Sequence, residues 1–167
     1  MAIQSMNKKG FVGDIIFVLV FIFITVVSIA VGWMVYSNYT DATADMDMFN
    51  TSINDNITAS AETTLAGFDY LFVFMVVGLI ILTIISTFSI QTHPVFFFIS
   101  SLLLVISVIF AGEFANIFET ITGASAFTGF EAGYPVITYF MNHFPTIMLI
   151  IGAILLIILF AKEKMQQ

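Results

Sequence analysis

The run from Phe11 to Tyr36 constrains this chain more than any other stretch. From Ile15 to Tyr36 it holds no charged residue. A helix rises about 1.5 Å per residue, so about 20 apolar residues cross the ~30 Å hydrocarbon core of a bilayer. Three further runs repeat the pattern: Phe68 to Ile90, Pro94 to Gly112, and Pro145 to Ala161. A soluble fold would have to cover all four. Soluble domains carry about 25% charged residues, and this chain carries 9% against 60% hydrophobic. Lipid, not further protein, must complete the core.

Inside lipid, every backbone polar group is satisfied within its own segment or a closed barrel. A barrel shows short segments of alternating polarity; these runs are continuously apolar. The expected fold is all-α, an integral membrane bundle of four transmembrane helices. The first run is longer than the roughly 7–15 apolar residues of a secretory signal. It ends in bulky Trp33-Met34-Val35-Tyr36, so it reads as a retained span with an aromatic belt at its far end.

The chain then divides as follows. Residues 1–10 form a tail, 11–36 the first span, 37–67 an acidic outer loop, and 68–90 the second span. Residues 91–94 form an inner turn and 94–112 the third span. Residues 113–144 form an outer loop with a short interfacial segment, 145–161 the fourth span, and 162–167 a second tail. Within 37–67, Met46, Phe49, Ile53 and Ile57 share one helical face, which fits an amphipathic helix or a loop. Val136 to His143 is too short to cross.

Charge gives the orientation. The only basic residues are Lys8, Lys9, Lys162 and Lys164. The positive-inside rule predicts the N-terminus and C-terminus on the cytoplasmic side. Both outer loops are acidic and lack lysine. The net charge is −7, and without a basic footprint no nucleic-acid partner is expected. With no cysteine, disulfides and thiolate ligands are excluded.

Few residues suggest chemistry. Asp14, Asp69 and Glu113 each fall at the end of a predicted span, where an acid is solvated or favours the positive end of its own helix dipole. A mid-span charge would mark an ion path, and none is present. His93 and His143 fall on opposite sides, so no metal or other cofactor is expected. No catalytic constellation stands out, and the expectation is a protein that is not an enzyme. Asn38, Asn50 and Asn56 each open an Asn-x-Ser/Thr tripeptide in the outer loop and are candidate glycosylation acceptors. Such tripeptides also arise by composition in a segment this rich in Asn, Ser and Thr. Ser28 with Gly32, and Ser107 with Ala111, have the small-residue spacing that lets helices approach in lipid. Gly78 and Gly152 add flat patches. All six are candidate contacts within the chain or between copies of a homo-oligomer.

These features imply a structural or interaction subunit of a larger membrane assembly, in a cell membrane or the internal membrane of a virion. Its expected partners are membrane lipid and other membrane or capsid-type subunits, met through the outer loops. The alternative is an oligomeric channel or small transporter lined by Ser and Thr of spans two and three. A weaker one is a lysis or fusion protein, suggested by the Gly/Ala/Phe texture of 123–130.

Overall fold

The computed structural model describes residues 10–44, 51–89 and 94–165. Its helices are α1 (Gly10–Ala44), α2 (Thr51–Ser89), α3 (Pro94–Thr122), α4 (Phe130–Gly133), α5 (Pro135–Asn142) and α6 (Phe144–Met165), with a 3-10 turn at Ser125–Phe127. No strand occurs among the described residues. Four of the helices, α1, α2, α3 and α6, are long and apolar enough to cross a membrane. The chain is therefore an all-α, four-span integral membrane protein.

All three prolines stand in the first turn of a helix: Pro94 in α3, Pro135 in α5 and Pro145 in α6. There the missing N–H leaves no intrahelical bond unmade. Packing follows stripes at three- and four-residue spacing, the seam that lets antiparallel helices interlock. On α1 the buried stripe is Ile15, Leu19, Ile22, Val26 and Ala30. Phe130, Tyr134, Ile137, Met141 and Phe144 continue one such stripe through α4 and α5 into α6, all fully buried.

Ring contacts and hydrogen bonds fix the directions. Phe23 of α1 stacks on Phe114 of α3 with centroids 4.3 Å apart. Phe97 of α3 meets Phe160 of α6 at 6.0 Å. The Tyr36 hydroxyl donates to the Thr58 carbonyl across α1 and α2 at 3.2 Å. Successive spans therefore alternate in direction, and α1 runs parallel to α3.

The helices overrun the boundaries expected from composition. In the acidic segment 37–67, every described residue is helical. Polar side chains there bond back to their own helix: Asn38 Nδ2 donates to the Met34 carbonyl and Thr43 Oγ1 to the Tyr39 carbonyl. Such groups favour loops mainly by competing for the backbone, and here the competition is resolved inside the helix. The turn 91–93 lies outside the described residues.

The segment 113–144 differs more. α3 continues to Thr122, and the chain then folds back as the 3-10 turn, α4 and α5. In place of an outer loop with a short interfacial segment, these elements form a plug at one end of the bundle. Phe140 of α5 reaches deep enough to line the central cavity with Ile22, Val76 and Met148.

Candidate functional site

The plug is held by one charged side chain. Asp69 of α2 is 3% exposed. Its Oδ1 accepts from the Ile137 N–H at 2.8 Å and its Oδ2 from the Val136 N–H at 3.0 Å. These are among the first amide groups of α5, which have no partner within their own helix. An acid at that point meets two charge-assisted hydrogen bonds and the positive end of the dipole. The expectation that Asp69 complements its own helix is corrected: α2 begins at Thr51, well before Asp69. The dipole it meets is that of α5.

Aromatic packing completes the clasp. Phe130 stacks on Tyr134 at 4.7 Å, and Trp33 of α1 meets Tyr134 edge-on at 5.7 Å. Phe72 of α2 meets Phe140 of α5 edge-on at 5.2 Å. Trp33 lies close over Gly129 and Gly133; a Cβ at either would meet its ring at 3.5 Å. Gly129 also has φ +83°, a conformation that costs glycine little. The Tyr134 hydroxyl is buried without a hydrogen-bond partner. Burial, and then the negative charge of Asp69, push the Tyr134 phenol up to about 12.

The remaining candidates do not converge on a reacting centre. His143 is exposed, stacks on Tyr139 and has Nδ1 2.9 Å from the Tyr139 carbonyl. His93 lies outside the described residues. Glu113 and Asn116 are exposed on α3. Among the described residues no three of His, Cys, Asp or Glu gather as a metal site. The side chain of Asp14 lies outside those described.

Of the small residues, Ser107 and Ala111 are fully buried. Gly152 is buried against Leu104, whose Cδ1 fills the space an added Cβ would need. Ser28 and Gly32 are exposed, and Gly78 is half-buried; a Cβ at Gly32 or Gly78 would meet nothing within 4 Å. Ser28 and Gly32 instead form part of a groove of about 590 Å³ between α1 and α2, with Leu65, Phe68 and Met75 on the facing wall. Asn38 and Asn56 are exposed on helices; Asn50 lies outside the described residues.

The bundle interior is close to full. Its central cavity is about 20 Å³ and is lined by apolar side chains and Thr83. That is room for about one water molecule. Thr83 donates its hydroxyl to the Leu79 carbonyl and Thr87 to the Thr83 carbonyl.

Sequence reasoning found Asp69 but not its partner, which lies far along the chain. The legible trace was the stripe from Phe130 to Phe144, at three- and four-residue intervals within a segment too short to span. Comparison with protein-family models, with curated proteins and with solved structures finds no match for this chain.

Proposed function

We propose that this protein is a non-enzymatic structural or interaction subunit of a larger membrane assembly, with both termini in the cytoplasm or on the equivalent side of a virion membrane. The observation that carries this reading is the contrast between a sealed interior and a projecting exterior. The core offers about 20 Å³, too little for a substrate or a hydrated ion. Beyond the apolar part of the bundle, α1 and α2 continue as paired polar helices that expose Asp41, Glu62, Thr63 and Thr64. A lone membrane anchor does not need such a projection; a protein that meets a partner outside the bilayer does.

The channel reading draws less support. Thr87, Ser100 and Ser107 are buried, so these three hydroxyls of spans two and three are turned away from a path between copies. The test is extraction in a mild detergent followed by crosslinking from cysteines placed at Asp41 or Glu62. A defined protein crosslinked at these positions, and absent when the label is moved to Phe98 on the lipid face, supports the reading. A chain that elutes as a bare monomer and conducts ions in planar bilayers overturns it.

A further inference from the structure

We draw no further inference here: the strongest candidate, the groove of about 590 Å³ between α1 and α2 with Ser28 and Gly32 on one wall and Leu65, Phe68 and Met75 on the other, is an unpartnered apolar face, and nothing in the structure shows what covers it.

Discussion

Asp69 and Tyr134 divide the electrostatics of the plug between them. The carboxylate is satisfied; the phenol is not. Replacing Asp69 by Ala leaves two α5 amides without acceptors. Hydrogen bonds to charged groups contribute roughly 1.5–3 kcal/mol each, and an unmet buried donor costs about 1–3 kcal/mol. Asp69→Ala is expected to lower stability by about 2–4 kcal/mol, read as a fall in the thermal midpoint in detergent micelles. Amide exchange at Val136 and Ile137 should speed up more than exchange in the middle of α3. Asp69→Asn keeps one acceptor but turns a donor toward the other amide, so it should recover little.

Tyr134→Phe tests the opposite case. Its hydroxyl has no partner, so removing it relieves a desolvated group and should leave stability unchanged or raise it by up to about 1 kcal/mol. The pH dependence has a definite sign. The phenol is raised in the fold to about 12, from an ordinary value near 10. The folded state therefore holds its proton longer than the unfolded chain does. Stability from this source is complete below about pH 10 and is lost as pH rises toward 12. Thermal midpoints at pH 8, 10 and 11.5 should decline for the parent more than for Tyr134→Phe, which cancels the shared effect of lysine titration.

Among the elements, the α3–α6 pair depends most on shape. Leu104 fills the space that Gly152 leaves, so the two backbones approach as small residues allow in lipid. Gly152→Ala forces Leu104 out of its position and should cost about 1–3 kcal/mol as overpacking. Leu104→Ala opens a cavity and should cost about 2–5 kcal/mol. The double variant should cost clearly less than the sum, because the added methyl occupies part of the vacated space. Steric trapping or thermal denaturation of the four proteins measures that coupling; strict additivity would mean that Gly152 and Leu104 do not meet.

The spans were legible because each contains a long stretch without charge, and no other fold suits four such runs in a short chain. The polar continuations of α1 and α2 were not. Ser, Thr and Asn in 37–67 suggest turns when read locally, but Asn38 and Thr43 bond to carbonyls one turn back within the helix and the Tyr36–Thr58 bond ties the two helices together. The plug was hidden for a different reason. Asp69 looked like a residue at the end of a span, and nothing near it in sequence marks Val136 and Ile137 as its donors. Gly129 and Gly133 looked like loop residues, and their role under Trp33 is visible only once α1 is beside them.

At the scale of the whole molecule, alternation of the four spans puts the start of α1 and the end of α6 at one end of the bundle. Tags on the two termini are therefore expected to be reached by protease from one face only, in sealed vesicles of known sidedness. The lysine distribution predicts that this face is cytoplasmic. A tag at Asp41 should be reached from the other face. Protection of one terminus while the other is cut would be incompatible with four crossings.

The clasp on Asp69 also has a history within each molecule. Its two amide donors lie on residues made long after α2 has left the ribosome. Until then the nascent chain carries an acid in the apolar stretch of α2 with none of its eventual partners. Insertion of α2 must tolerate that interval, by water or by the translocation machinery. A chain truncated after α3 would never escape it, and cellular quality control should recognise such a fragment by that unanswered acid.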